Sequence, residues 1–199
     1  MTTVSGGDGP TVFIVAGIHG DEVAGIAAAE ALLGELTGIS GTVCVLSPAN
    51  AEGAKANDRR TRGYDLNRLF PGDENGHEAQ RLAAAIFEEI RRAEPALVLD
   101  LHEAGSAVQS YDFLGSSIVF SDPDSAALVM EMTAESAEIC ENPFTFFSSA
   151  PEGSLNREVY AQLGIPVLTI ETDEALPLET RVGDQLAMIR CAFAHVGIK

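Results

Sequence analysis

One histidine and two acidic residues stand directly after an apolar run near the start of the chain. The segment reads IVAGIHGDEVAG and places His19, Asp21 and Glu22 in a glycine-rich turn that follows the predicted strand 11–17. A tight turn needs glycine, but it does not need these three side chains. His19 and Glu22 are three residues apart, so both can point to one place if the turn opens a helix. The pair is therefore a candidate for metal binding or proton transfer.

Two more residues able to bind metal or move protons stand at the ends of apolar runs. His102 directly follows the run ALVLDL, and Glu171 ends the run PVLTIE. In open α/β sheets, ligands bind beyond the carboxyl ends of the strands. If His19, His102 and Glu171 had unrelated roles, we would not expect all three to lie at or just after the ends of strands. The sequence therefore predicts one site at this edge of a sheet.

The residue types at this predicted site match those of a hydrolytic zinc centre. Such a centre usually has three protein ligands and keeps a fourth position for water. His19, Glu22 and His102 make one such set, with one zinc ion per chain. Glu171 is the candidate to take a proton from water and pass it to the leaving amine, and burial in an apolar strand would raise its pKa. Asp100 shares a strand face with His102 and can orient that ring.

A cluster of arginines lies in the polar segment 49–73, which is predicted to be a long loop. Arginine binds a carboxylate through two parallel hydrogen bonds, which lysine does not do. One arginine could hold the carboxylate of a substrate, and another could stabilise the oxyanion that forms when water attacks. The alternative is that these side chains pair with surface acids. The four residues are Arg59, Arg60, Arg62 and Arg68.

Strand and helix patterns alternate along the rest of the chain. This alternation predicts an α/β fold, a three-layer sandwich with a mixed, mostly parallel sheet flanked by helices. The predicted strands are 11–17, 41–47, 96–101, 115–120 and 166–171. The predicted helices are 22–36, 78–93, 123–140, 152–163 and 180–196.

Length, charge and hydropathy restrict the class of protein. The 199 residues are 46% hydrophobic, which fits one domain with a sizeable core. A net charge of −18 argues against nucleic acid as a partner. No apolar run is long enough to cross a membrane, and the first residues do not resemble a secretory signal, so we expect a cytoplasmic protein without a membrane partner.

The basic residues are mostly arginine. The chain has two lysines, Lys55 and Lys199, against ten arginines. Many carboxylates with few lysines suit a halophilic cytoplasm, where salt screens their mutual repulsion, although a well-solvated surface would explain the acidity equally simply. The three cysteines form no CxxC pair and are predicted to be free, buried thiols. His77 and His195 are predicted to be surface residues.

Four short motifs occur in an order that resembles a known family. They are HGDE (19–22), DLNRLFPG (65–72), LDLHEA (99–104) and LTIET (168–172). Together they are similar to the succinylglutamate desuccinylase/aspartoacylase family, a branch of the zinc carboxypeptidases of the M14 type. The resemblance spans the segment from about 11 to 172. It implies a mixed eight-stranded sheet flanked by helices.

The resemblance also implies roles for particular residues. It implies zinc on His19, Glu22 and His102, with Glu171 as general base and acid. It implies that Asn67 and Arg68 bind the free carboxylate of a small-molecule substrate. For the oxyanion, counting from Ala49 and Asn50 favours Arg59, which we prefer, whereas matching the TR before DLNR favours Arg62.

The chain departs from the family pattern in two places. It ends soon after Glu171, so we expect a single zinc-hydrolase domain over 1–199 without the extra C-terminal β-domain of aspartoacylases. A cleft edge left open in this way could be covered by a second subunit in a homo-oligomer. Peptidase members use a tyrosine before the general base, and Tyr160 lies in a predicted helix. These departures bear on the substrate more than on zinc or hydrolysis. We expect a deacylase of N-acyl amino acids, with a carboxypeptidase for short peptides or a non-catalytic metal-binding domain as alternatives.

Overall fold

A mixed sheet of seven strands forms the centre of the part of the chain that the structure, a computed structural model, describes, residues 1–105 and 114–199. The strands follow the spatial order β1-β3-β2-β4-β7-β5-β6. The central four, β2, β3, β4 and β7, are parallel, whereas β1 and β5 run antiparallel to their neighbours β3 and β7. Their bounds are β1 Thr2–Gly6, β2 Thr11–Ala16, β3 Gly41–Leu46, β4 Leu97–Ala104, β5 Ser117–Phe120, β6 Thr145–Phe147 and β7 Val167–Asp173.

Helices cover both faces of this sheet. One core cluster joins the sheet to α1, α4 and α6, and a second joins its other face to α3 and α5. The three-layer α/β sandwich predicted from the alternating patterns is therefore confirmed. The helices are α1 Val23–Glu35, α2 Ala51–Ala56, α3 Glu78–Ala93, α4 Ala126–Ile139, α5 Leu155–Leu163 and α6 Leu178–Val196, with single 3-10 turns at Leu66–Arg68 and Pro123–Ser125.

The central strands form because their sequences are apolar on both faces. Every residue of β4 is buried, and β2 is buried from Val12 to Ala16. Such continuous burial is typical of parallel strands with helices on both sides. The sheet therefore holds the ends of β2, β4 and β7, from which the predicted site residues extend, side by side in a rigid core.

Several elements differ from the sequence prediction. The outer strands β1 and β6 were missed because they are largely exposed, polar or very short, and so lack the apolar run that marks a buried strand. The segment 49–73 is not wholly a loop, since it contains α2, where the Asn50 side chain caps the helix by accepting from Gly53 N at 2.9 Å. The described residues contain seven strands, where the resemblance implied eight.

The smaller predictions have mixed outcomes. The cysteines are free, as predicted, and Cys44 and Cys191 are buried, but Cys140 is only partly buried because it lies at the end of α4. His77 is not a simple surface residue: it caps α3 and stacks on Tyr64 at 4.0 Å between ring centroids. Among the residues described, no helix has the length and hydropathy to cross a membrane.

Candidate metal and catalytic site

The turn after β2 brings His19 and Glu22 together. Gly17 takes a positive φ of 72°, which a glycine adopts without strain, and the chain then turns into α1 with Glu22 immediately before its first residue. His19 Nδ1 lies 2.6 Å from Glu22 Oε1. Both residues are almost completely buried, at 2% and 1% exposure. The structure therefore brings the two side chains together at the start of a helix, as expected.

His102 reaches the same carboxylate from the neighbouring strand β4. Its Nδ1 lies 2.7 Å from Glu22 Oε2, on the other oxygen of that side chain. The rings of His19 and His102 are edge to face, with centroids 4.9 Å apart. One donor atom from each of the three residues lies within 4.8 Å of the others. The three predicted ligands therefore form a group that could hold a metal ion.

A second carboxylate lies behind each histidine ring. His19 Nε2 is 3.0 Å from Asp65 Oδ1, and His102 Nε2 is 3.1 Å from Asp100 Oδ2. A carboxylate on the far nitrogen fixes the tautomer and the orientation of a metal-binding histidine. Asp100 stands where the sequence placed it. Asp65 is the first residue of the DLNRLFPG motif, and no role was predicted for it.

The charges around the two rings favour protonation when no metal is bound. Burial lowers the pKa of His102, but the charges of Asp100 and Glu22 outweigh it and hold the pKa well above the ordinary value. Burial of His19 is likewise outweighed by its hydrogen bonds to Asp65 and Glu22, which raise its pKa. A divalent cation can take the place of these protons, and its binding would release them.

Glu171 lies beside this group on β7. The register of the parallel strands pairs Glu171 with His102, so the two side chains leave the same face of the sheet. Burial raises the pKa of Glu171 to about 7, although the charges of His102 and His19 act in the opposite direction. A carboxyl group with a pKa near neutrality can both accept and return a proton.

The arginines of the segment 49–73 separate into different environments. Arg59 Nη1 donates to Glu22 Oε1 at 2.7 Å, so this side chain reaches the site. Arg62 pairs instead with surface acids, Glu52 and Glu78, at 3.1 and 3.2 Å. Arg60 Nη1 donates to the carbonyl oxygen of Gly63. Of these three arginines, only Arg59 contacts a member of the three-residue group.

Asn67 and Arg68, which the resemblance assigns to substrate binding, lie next to the site. Asn67 Nδ2 is 3.4 Å from His102 Nε2, while its Oδ1 accepts from the backbone N of Leu155 at 2.9 Å. Arg68 is exposed and donates from Nη1 to the carbonyl oxygen of Asn67 at 2.7 Å. The Asn67 side chain thus joins its 3-10 turn to the start of α5.

A buried glutamate for which no role was predicted connects Glu22 to the helices α1 and α6. Glu103 Oε2 accepts from the backbone N of Ala24 at 2.8 Å, which fixes the start of α1. The backbone N of Glu103 donates to Glu22 Oε2 at 3.2 Å, and Arg181 from α6 pairs with Glu103 Oε1. Its position in LDLHEA, one residue after His102, was a signal for such a role.

Comparison with known proteins identifies the family. Residues 8–194 match the family described as "Succinylglutamate desuccinylase/Aspartoacylase catalytic domain". The chain belongs to this family. The predicted resemblance is therefore confirmed over nearly the whole chain.

Individual proteins are similar to this chain over part of their length. An N-alpha-acetyl-L-2,4-diaminobutyric acid deacetylase of Halomonas elongata is 32% identical over 60% of this chain and 36% of its own. A succinylglutamate desuccinylase/aspartoacylase structure from Rhodobacter sphaeroides is 25% identical with a TM-score of 0.74, covering 98% of this chain and 58% of the other. This chain thus spans from about a third to somewhat more than half of the relatives' length.

The same fold occurs in a more distant protein. The D,L-carboxypeptidase Csd4 of Helicobacter pylori is 19% identical, with a TM-score of 0.84 over 100% of this chain and 55% of its own. At this identity the likeness concerns the fold alone. It agrees with the zinc carboxypeptidase-like architecture that the sequence predicts.

Proposed function

We propose that this chain is a zinc-dependent amide hydrolase that removes an acyl group from an N-acyl amino acid. The observation that carries the proposal is the arrangement of His19, Glu22 and His102 around one point with Glu171 beside them. Two imidazoles and one carboxylate are a frequent donor set of hydrolytic zinc. The carboxylates behind both rings are the usual supporting partners of such ligands.

The donor set fits zinc on chemical grounds. Both Nδ1 atoms face the Glu22 carboxylate, while Asp65 and Asp100 occupy the Nε2 atoms. Zinc bound here would lower the pKa of water to about 7 and polarise a substrate carbonyl.

Glu171 would carry the proton transfers. In its ionised form it takes one proton from the attacking water, and the protonated form then gives a proton to the nitrogen of the leaving amine. Burial raises the pKa of Glu171, and a raised pKa helps a carboxylic acid to return the proton near neutral pH. Its place opposite His102 in the register, on the same face of the sheet, supports this role.

Arginine and asparagine side chains would bind the charged parts of the substrate. Arg59, which reaches Glu22 from the loop side, would move its guanidinium toward the developing oxyanion. Asn67 and Arg68 would hold the free carboxylate of the amino acid, since Arg68 is exposed beside the site. These roles rest on the family resemblance and on the positions of the three side chains.

The choice of a deacylase is supported by the relative with the higher identity. The Halomonas elongata protein is named as a deacetylase of an acetylated diamino acid. The substrate class that we propose is therefore a small N-acyl amino acid with a free carboxylate. The assay described next identifies the acyl group and the amine.

The test is a turnover assay with zinc-loaded protein. We expect N-acetyl and N-succinyl amino acids to be hydrolysed, with kcat falling about 100- to 10,000-fold in Glu171→Gln while zinc content is unchanged. Glu138→Gln is the control, because Glu138 is an exposed acid of α4, and it should keep most of the rate. Cleavage of short peptides but not of N-acyl amino acids would instead identify a carboxypeptidase. Zinc binding without turnover of either class would identify a binding domain.

A further inference from the structure

A second group of metal-binding side chains lies between two helices on one face of the sheet. Its members are Glu135 of α4 and the pair Cys191 and His195 of α6. One donor atom from each lies within 4.8 Å of the others. We propose that these three residues bind a second divalent ion, zinc or a metal of similar softness, which links α4 to α6.

The helical spacing brings the donors together. Cys191 and His195 are four residues apart on α6, so their side chains leave the same face of the helix. Glu135 points toward them from α4, which packs on α6 through the shared core around Met132 and Ile189. This core holds the backbone of both helices and buries Cys191, while the side chains of Glu135 and His195 reach the solvent.

In the absence of metal, hydrogen bonds join the three side chains. Cys191 Sγ donates to Glu135 Oε2 at 3.2 Å, and His195 Nε2 lies 3.0 Å from Glu135 Oε1. A buried thiol usually packs as a small apolar group, whereas this one faces a carboxylate. Sulfur, imidazole nitrogen and carboxylate oxygen are all common ligands of zinc.

The other nitrogen of His195 has a carboxylate partner as well. His195 Nδ1 lies 3.5 Å from Glu131 Oε2, one helical turn before Glu135. This repeats the arrangement of the main site, where Asp65 and Asp100 lie behind the metal-facing histidines. A proton on Nδ1, directed at Glu131, would leave Nε2 free to bind the ion.

Binding at this place is a ligand exchange without redox chemistry. The S–H bond of Cys191 breaks and its proton passes to the solvent. The proton between His195 Nε2 and Glu135 Oε1 is lost to the solvent from a doubly protonated ring or moves to Nδ1 in a neutral one. The thiolate of Cys191, the Nε2 lone pair of His195 and one oxygen of Glu135 then each donate an electron pair to the ion. The negative charge of the protein, −18 overall, favours the arrival of a cation.

Cobalt substitution tests the proposal, because the main site contains only nitrogen and oxygen donors. A thiolate-to-cobalt absorption band in the near ultraviolet can therefore come only from a cysteine. We expect this band in the parent protein titrated with Co²⁺, and also in the Cys140→Ser and His102→Ala variants. We expect it to be absent in Cys191→Ser. No band in the parent at saturating Co²⁺, or a band that persists in Cys191→Ser, would overturn the proposal.

A second variant keeps the test decisive if Cys191→Ser does not fold. His195→Gln should lose the cobalt band, whereas His77→Gln, a control at a histidine far along the chain, should keep it. Zinc should also raise the Tm of the Cys140→Ser protein more than that of His195→Gln. At free zinc one hundred times the Kd, this difference should be about 5 to 10 °C. Equal shifts in both variants would contradict the proposed link between α4 and α6.

Discussion

Each histidine of the main site is held between two carboxylates. Glu22 faces both Nδ1 atoms, while Asp65 and Asp100 face the Nε2 atoms. Asp100 could be inferred from the sequence, since a residue two positions before His102 shares its strand face. Asp65 could not, because it is 46 residues from His19 and the path of the intervening chain decides the contact.

Replacement of Asp65 should weaken the metal site without removing a ligand. In Asp65→Asn, we expect zinc affinity to fall about 10- to 100-fold, because the His19 ring loses its charged partner. Chelator competition measures the affinity. Asp73→Asn is the control, since Asp73 is an exposed acid of the same segment whose carboxylate accepts from Asn75 N. Equal affinity in Asp65→Asn and the parent would show that Asp65 does not support the metal.

Glu171 should decrease the stability of the metal-free protein at neutral and higher pH. Its pKa rises from 4.5 in an ordinary environment to about 7 in the folded chain. Between these values the unfolded chain loses the proton and the folded chain keeps it, so stability falls as pH rises through this window. Above pH 7 the full cost of the buried charge is present.

A neutral side chain of the same shape removes this cost. We expect metal-free Glu171→Gln to be more stable than the parent by about 1 to 3 kcal/mol at pH 8, and by little at pH 4. Urea unfolding at the two pH values, in the presence of a chelator, measures the difference. A variant that is less stable than the parent at pH 8 would show that the ionised carboxylate is well accommodated.

At the scale of elements, the site depends on how closely the turn after β2 approaches α2. A Cβ atom added to Gly20 would overlap the backbone of Gly53 and Ala54. The segment 49–73 was predicted to be a loop, and its short helix α2 was missed, because six residues carry too little periodicity for detection. Beyond the end of this helix, Arg59 reaches Glu22, whereas Arg62 pairs with Glu52 at the surface.

The strand ends, by contrast, were predictable from the sequence. The apolar runs that become β2, β4 and β7 identify buried parallel strands, and the rule on their carboxyl ends brings His19, His102 and Glu171 together. The exposed strands β1 and β6 have no such pattern. The sequence therefore predicts the strands that are buried on both faces, because these strands are continuous apolar runs.

Gly20→Ala should disturb the turn that carries His19 and Glu22. We expect a loss of about 1 to 3 kcal/mol in stability, because backbone must move to admit the methyl group, together with weaker zinc binding. Gly34→Ala is the control, since a Cβ there meets nothing within 4 Å and the residue lies in α1, so it should stabilise by about 0.5 to 1 kcal/mol. Urea unfolding and chelator competition measure both effects. Unchanged zinc affinity in Gly20→Ala would show that the turn can relax without moving His19 and Glu22.

At the scale of the whole molecule, the dominant feature is the excess of acidic residues. The net charge is −18, and the carboxylates repel one another at low ionic strength. The Debye length falls from about 10 Å at 0.1 M salt to about 3 Å at 1 M. The halophilic adaptation predicted from the sequence would exploit this screening.

We therefore expect the Tm to rise with potassium chloride between 0.1 and 2 M. Replacing four exposed acids far from the site by asparagine or glutamine should raise the Tm at 0.1 M and reduce the dependence on salt. Differential scanning calorimetry measures both. A Tm that does not change with salt would show that the acidity serves solubility and has no role in adaptation to salt.

The oligomeric state and the cytoplasmic location stay predictions.

The proposed hydrolase requires that His19, Glu22 and His102 bind zinc. Elemental analysis of the parent and of His102→Ala, purified without chelator or affinity metal, tests it most directly. We expect the variant to contain about one zinc ion per chain less than the parent and to have lost hydrolysis of N-acyl amino acids. The same zinc content in both proteins, with His102→Ala folded, would contradict it.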